Sequence, residues 1–173
     1  PWVLDLLEEH GMTATFFVLG TQAMRHPDLV QKLRAQGHAV GGHTMNHEHG
    51  WHTDTQAYVQ SARASMQVDQ ERQNLFRPPY GKLTRAQCLA LRPHAQIVLW
   101  NVLSGDYAAQ GASGAATMLR RLKRHTHPGS IVVFHDKAKC AEILKSVLPE
   151  YLTWVRDSGW TSHRLDGHVH AEN

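Results

Sequence analysis

Residues 13–19 read Thr13-Ala14-Thr15-Phe16-Phe17-Val18-Leu19, a β-branched and aromatic run that predicts a buried strand. Upstream, Trp2, Val3, Leu6 and Leu7 fall on one side of a helix, and Gly11 ends it. Downstream, Leu29, Val30 and Leu33 are spaced for a helix that stops at Gly37, and His38–Gly41 follows as a short strand. Strand, helix, strand in that order is a parallel βαβ unit.

The alternation continues along the chain. Residues 55–73 read as a helix, with Tyr58, Ala62, Met66 and Asp69 on successive turns. Leu75-Phe76 is a further short strand, and Pro78 and Pro79 make a turn that Gly81 closes. Thr84 caps a helix through Leu91, and residues 96–103 (QIVLWNVL) are a strand. Residues 113–125 are helical, 130–134 (SIVVF) are a buried strand, and Cys140, Ile143, Leu144, Val147 and Leu148 form a last helical stripe. Pro149 is expected to kink or restart that helix, and residues 160–165 read as a weak final strand. With no repeat and no linker, residues 1–173 read as one α/β domain.

Composition narrows the function classes. Lys plus Arg is 18 against 15 Asp plus Glu, a net charge of +3 that is too mild to indicate a nucleic-acid or anionic-membrane partner. No stretch reaches the ~18 apolar residues of a membrane helix, and no signal segment is visible. Cys88 and Cys140 make no disulfide framework and read as small buried thiols. The 14 histidines are an unusual load. With half of them protonated near pH ~6.5, the net charge reaches about +10.

Parallel βαβ folds carry their chemistry at the C-terminal ends of strands. The first such end is Gly41-Gly42-His43-Thr44-Met45-Asn46-His47. The glycines are expected to let the chain turn tightly, and on a helical turn i and i+4 imidazoles reach one metal ion. Zinc accepts two His and one carboxylate with a position left for water. Spacing alone does not decide: in so histidine-rich a chain such pairs arise by chance, and His49 and His52 compete. The second end, Phe76-Arg77-Pro78-Pro79-Tyr80-Gly81, is either an ordinary rigid turn or one that aims a guanidinium at a carboxylate and the Tyr80 amide at a ligand. The third, Trp100-Asn101-Val102-Leu103-Ser104-Gly105-Asp106-Tyr107, reads as a loop with a turn-forming Gly-Asp, and in the fourth, Val133-Phe134-His135-Asp136, the histidine after an apolar strand reads equally as a core or capped residue or as a catalytic one. Arg120-Arg121-Leu122-Lys123-Arg124-His125 lies near a helix C-terminus and reads as a solvated basic face, with a modest pull toward acidic polymer as the alternative.

Taken together, TATFFVLG, HTMNH, FRPPYGKLT, WNVLSGDY and GSIVVFHD resemble the landmarks of the NodB-homology polysaccharide deacetylases, over nearly the whole chain. The resemblance implies a distorted (β/α) barrel of about seven strands, of which this chain lacks the first. It implies a divalent metal (zinc, with cobalt or nickel as alternatives) and an acetylated glycan such as chitin-type or peptidoglycan chains as substrate. It also implies a cell-envelope, periplasmic or secreted location. His43 and His47 match the metal-binding histidines, and Thr44 the hydroxyl that supports their loop. Arg77 matches the arginine that holds the catalytic base, Tyr80 the oxyanion-hole amide, and His135 the general acid. Pro79, Tyr80, Trp100, Tyr107 and Val133 fall at substrate-contacting positions, Val133 replacing a leucine of the acetyl pocket.

Two departures shape the expectations. The family's T-F-D-D stretch, which supplies the base and the third metal ligand, is not in this sequence, which begins at Pro1. Weak metal binding, poor turnover and an open sheet edge beside residues 13–19 are therefore expected. The family's D-x-x-D-W motif reads Leu103, Asp106 and Tyr107 here. The first of those aspartates tunes the catalytic histidine in the family, so Leu103 leaves open what polarises His135, while Asp106 keeps the second carboxylate and Tyr107 the aromatic wall. The competing readings are another C–N amidohydrolase of this superfamily and a catalytically impaired saccharide-binding domain.

Overall fold

A computed structural model describes residues 2–68 and 74–165. The chain divides into two compact units. One is built from residues 13–68, 74–99 and 163–165, the other from residues 2–12 and 100–162.

The first unit holds a parallel sheet of β1 (Thr15–Val18), β2 (Ala39–Gly42), β3 (Leu75–Phe76) and β4 (Gln96–Ile97), in that order. Thr15 pairs with Ala39 and Val18 with Gly42, so the apolar run and the glycine pair run side by side. Helices α2 (Gly20–Arg25) and α3 (Pro27–Ala35) connect β1 to β2, and Pro27 opens α3 where its missing N–H costs nothing. Gly37 takes φ 81° in the turn that follows α3. Helix α4 (Thr55–Met66) is capped by Asp54, whose carboxylate accepts from Ala57 N–H. It ends at Met66, well short of residue 73, and Asp69 lies outside the described residues. Helix α5 (Arg85–Leu91) opens with the expected Thr84 cap, completed by Gln87 as a capping box. Tyr58, Ala62, Met66, Phe76 and Leu91 form the buried core beneath these helices.

The glycines before His43 do something other than expected. Gly41 and Gly42 lie in the extended β2, and neither has a positive φ. A Cβ at Gly42 would meet Ser65 Oγ at 2.6 Å and Met66 Cγ at 2.8 Å, so the residue permits close packing of α4 on the strand, not a turn.

The second unit contains α1 (Trp2–Glu9), a parallel pair of β5 (Val102–Leu103) and β6 (Val132–Val133), and the long helices α6 (Gly111–His125) and α7 (Ala141–Asp157). Helix α6 packs on α7. Pro149 does not end α7. Val147, Leu148, Tyr151, Leu152 and Val155 continue a buried stripe across it, which offsets the ~3 kcal/mol that an interior proline costs.

Two strand expectations are corrected. Residues 96–103 are not one strand but two, β4 and β5, in separate sheets. The Arg77 guanidinium donates to the carbonyls of Val98 (3.3 Å) and Leu99 (3.2 Å), so these acceptors leave the strand ladder. Residues 160–165 form no strand: the N–H groups of Arg164 and Leu165 donate to the hydroxyls of Thr13 (3.0 Å) and Thr15 (2.8 Å), beside β1, which ends the sheet order. Cys140 is buried and Cys88 half-buried, and both are free thiols. No helix among the described residues is long and apolar enough to cross a membrane.

Candidate active site

In the first unit the loop after β2 brings His43 and His47 together. It does so without a helical turn: Thr44 (φ 61°) and His47 (φ 66°) both take left-handed backbone, which costs a non-glycine residue ~1–2 kcal/mol. Buried contacts hold that strain in place. Thr44 is fully buried, its carbonyl accepts from Gly20 N–H at 3.0 Å, and its hydroxyl accepts from Glu48 N–H at 3.2 Å. Met45 N–H donates to Ser61 Oγ at 2.9 Å. The two imidazoles meet edge to face with centroids 5.0 Å apart.

His43 Nδ1 lies 2.6 Å from the Arg77 carbonyl. A carbonyl only accepts, so Nδ1 carries the proton and Nε2 keeps the lone pair a metal needs. The two rings therefore fit two positions of a divalent site. Among the described residues no three of His, Cys, Asp and Glu converge as a complete metal set.

Arg77 supplies that carbonyl because its side chain is anchored behind it. The guanidinium bonds to Val98 and Leu99 and lies 4.1 Å from the centre of the Phe17 ring. Burial pushes its pKa down to about 10. The turn that follows carries a third left-handed residue, Tyr80 (φ 59°). The turn's hydrogen bonds run from Gly81 N–H to Pro78 and from Lys82 N–H to Pro79, which leaves the Tyr80 N–H out of them. Strain of this kind gathers at functional sites, and three of the four non-glycine residues with positive φ among the described residues are Thr44, His47 and Tyr80. Pro79 is buried under the turn, while Tyr80 is exposed.

In the second unit β5 and β6 end side by side, with Leu103 paired to Val133. The loop after β5 places Asp106 under the start of the loop after β6. Asp106 Oδ1 accepts from His135 Nδ1 at 2.7 Å, and Oδ2 accepts from His135 backbone N–H at 2.6 Å. Asp106 is 2% exposed. Burial alone would raise its pKa, but the His135 side-chain and backbone hydrogen bonds, the His135 charge and Ser104 outweigh it and hold the carboxyl below its usual value. With Leu103 in the motif's first position, Asp106 is the carboxylate bonded to His135. Tyr107 presents its ring edge-on to His135, centroids 5.5 Å apart. Val133 is 7% exposed and sits in the unit's core, and Trp100 is half-buried.

Two residues that hold this loop escaped the sequence reading. Ser104 is fully buried, and its hydroxyl accepts from Asp106 N–H at 3.4 Å. Arg121, assigned to a solvated basic face, reaches back from α6 and donates to the carbonyls of Leu103 and Ser104. Gly105 (φ 74°) lies under that guanidinium, which a Cβ there would strike. The i+3 and i+4 helical neighbours of Arg121 carry no hint of this, since its partners are about 17 residues away in sequence. Lys123 of the same basic run pairs with Glu150 at 3.0 Å.

Two further histidines, His38 and His10, are structural. His38 is 2% exposed, burial lowers its pKa, and its Nδ1 accepts from Ala14 N–H at 3.2 Å. His10 Nδ1 bonds to the Leu6 carbonyl at 2.9 Å.

Comparison with known proteins adds the following. The family model described as polysaccharide deacetylase matches residues 1–95. A peptidoglycan-N-acetylglucosamine deacetylase of Bacillus cereus is 29% identical over 141 residues, which are 79% of this chain and 50% of that protein. The chain thus spans half the length of that relative. A chitooligosaccharide deacetylase of Rhizobium leguminosarum bv. trifolii is 32% identical over 152 residues, 82% of this chain and 66% of that protein. Among solved structures, a family 4 carbohydrate esterase from Streptomyces lividans superposes with a TM-score of 0.80 at 22% identity, covering 96% of this chain and 86% of that one, a likeness of fold.

Proposed function

The chain belongs to the polysaccharide deacetylase family, and from that premise we propose that it takes part in metal-dependent removal of acetyl groups from a glycan, with zinc as the metal. The observation that carries this reading is the His43–His47 pair, its rings 5.0 Å apart and His43 Nδ1 committed to the Arg77 carbonyl. Such a commitment aims Nε2 at a metal and is the usual support of a ligating histidine.

A divalent ion held by His43 and His47 would polarise the acetyl carbonyl and acidify a water molecule there. The Tyr80 N–H is the donor for the oxyanion that forms when that carbonyl carbon becomes tetrahedral. Losing one such donor typically costs ~2.7–4 kcal/mol. The resemblance makes His135 the acid that protonates the leaving amine as the C–N bond breaks. Asp106 accepts from Nδ1, fixing the ring and offsetting the charge of the imidazolium. The water proton needs a base, which the resemblance places in the T-F-D-D stretch that this sequence does not contain.

The test is acetate release from an N-acetylglucosamine tetramer by the zinc- or cobalt-loaded chain. Slow release that a chelator abolishes and that His43→Ala and His135→Ala remove is expected. Release indifferent to chelator, or unchanged in His43→Ala and His135→Ala, overturns the reading.

A further inference from the structure

The loop between His43 and His47 is tied down from two sides. Its first half is held from α2, where the Thr44 carbonyl accepts from Gly20 N–H and the Met45 carbonyl accepts from the Thr21 hydroxyl (2.7 Å) and N–H (3.2 Å). Its second half gathers on one carboxylate. Glu48 Oε2 accepts from Asn46 N–H (3.1 Å), and Oε1 accepts from the Asn46 side-chain amide (3.3 Å). The hydroxyls of Thr44 and Ser61 donate to the same carboxylate. Both hydroxyls also accept, Thr44 Oγ1 from Glu48 N–H and Ser61 Oγ from Met45 N–H. Every residue between the two imidazoles, Thr44, Met45 and Asn46, is thus bonded to Glu48 or to Ser61 of α4.

These bonds have a task set by the backbone. Thr44 and His47 both hold left-handed φ, a strain that persists only where surrounding contacts enforce it. Relaxing the backbone at His47 would swing its ring away from His43 and separate the two lone pairs that one ion needs. A ligand pair held in place beforehand binds more tightly, because less order is lost on binding. We propose that Glu48, backed by Ser61, is a positioning residue for the metal pair, holding the loop in the strained form that brings His43 and His47 to one ion. Its oxygens are occupied by the loop's own donors, so it acts through the histidines and not as a ligand. This inference rests on the metal reading above.

The test uses two readouts on the full chain. One is the nuclear Overhauser cross-peak between the ring protons of His43 and His47 without metal, and the other is zinc affinity by calorimetry. Glu48→Ala is expected to weaken the cross-peak and to lower zinc affinity about tenfold, or about 1.4 kcal/mol. Ser61→Ala removes no charge and should lower affinity about threefold, with the double variant falling short of the product of the two. Asp54→Ala, which removes the cap of α4, should lower Tm and leave both readouts unchanged. Should Glu48→Ala fail to fold, Glu48→Gln and Ser61→Ala decide, Glu48→Gln keeping part of the cross-peak and of the affinity. An unchanged cross-peak in folded Glu48→Ala overturns the proposal. So does a Ser61→Ala without effect, which would leave only the charge of Glu48, or an Asp54→Ala that loses as much affinity, which would make affinity follow stability. No zinc binding by the parent chain, with a cross-peak that weakens in Glu48→Ala, would sink the metal reading and leave the positioning role standing. Zinc binding by the parent with an unchanged cross-peak in Glu48→Ala would do the reverse.

Discussion

Asp106 holds His135 at two points, with Oδ1 accepting from Nδ1 at 2.7 Å and Oδ2 accepting from the backbone N–H at 2.6 Å. One carboxylate thus sets both the tautomer of the ring and the path of the chain that carries it. Asp106→Asn keeps the shape but loses the charge and one acceptor. It should lower kcat by about 10²–10⁴-fold with little change in KM, the range for a disabled acid–base group. Steady-state acetate release checks this, with circular dichroism to confirm folding. A change confined to KM would contradict the role.

Arg121 and Gly105 fix the loop that presents Asp106. Arg121→Ala should cost about 1 kcal/mol in urea unfolding, the ordinary net value of a hydrogen bond, because its side chain is exposed. Gly105→Ala should cost about 1–2 kcal/mol, because alanine is strained at φ 74° and its Cβ displaces the guanidinium. Arg121→Ala should also lower kcat in the parent chain yet change little in an Asp106→Asn background. Additive effects in that double-mutant cycle would separate Arg121 from the carboxylate.

Metal binding should depend on His43 and His47 and not on His49 or His52. Zinc titration by calorimetry is expected to lose its signal in His43→Ala and to keep it in His52→Ala, whose ring stacks on His49. Equal losses in both would mean that the metal sits among other imidazoles.

Acid stability should carry the signature of Glu48. Burial would raise this carboxyl, but hydrogen bonds from Thr44, from the Asn46 and Glu48 backbone and from Ser61 hold it at about 2, against 4.5 for the ordinary group. The folded value lies below the unfolded one, so the stabilisation is complete above pH 4.5 and is lost as pH falls toward 2. Thermal unfolding of Glu48→Gln over that window should show a shallower fall in Tm than the parent chain. Parallel curves would mean that these hydrogen bonds do not favour the ionised form in solution.

Much of the fold was readable locally. Phe16-Phe17-Val18, the Gly11 and Gly37 stops and the Thr84–Gln87 capping box express preferences of neighbouring residues, and each element appears where those preferences put it. The strand ends HTMNH and RPPYG also carry strained backbone, at Thr44, His47 and Tyr80. Illegible were the break within residues 96–103 and the passage of α7 through Pro149. The first depends on a guanidinium about 20 residues upstream, and the second on a buried stripe that outweighs a local penalty.

The sequence by itself determined which residue types stand at the strand ends, because periodicity and turn chemistry are properties of a few adjacent positions. Only the tertiary structure decided who holds whom. It decided that the His43 ring bonds to a main-chain carbonyl 34 residues away, that Asp106 is the carboxylate bonded to His135, and that Arg121 reaches the carbonyls of Leu103 and Ser104. Hydrogen bonds between residues distant in sequence form wherever packing brings donor and acceptor within about 3 Å, and no local pattern records that meeting.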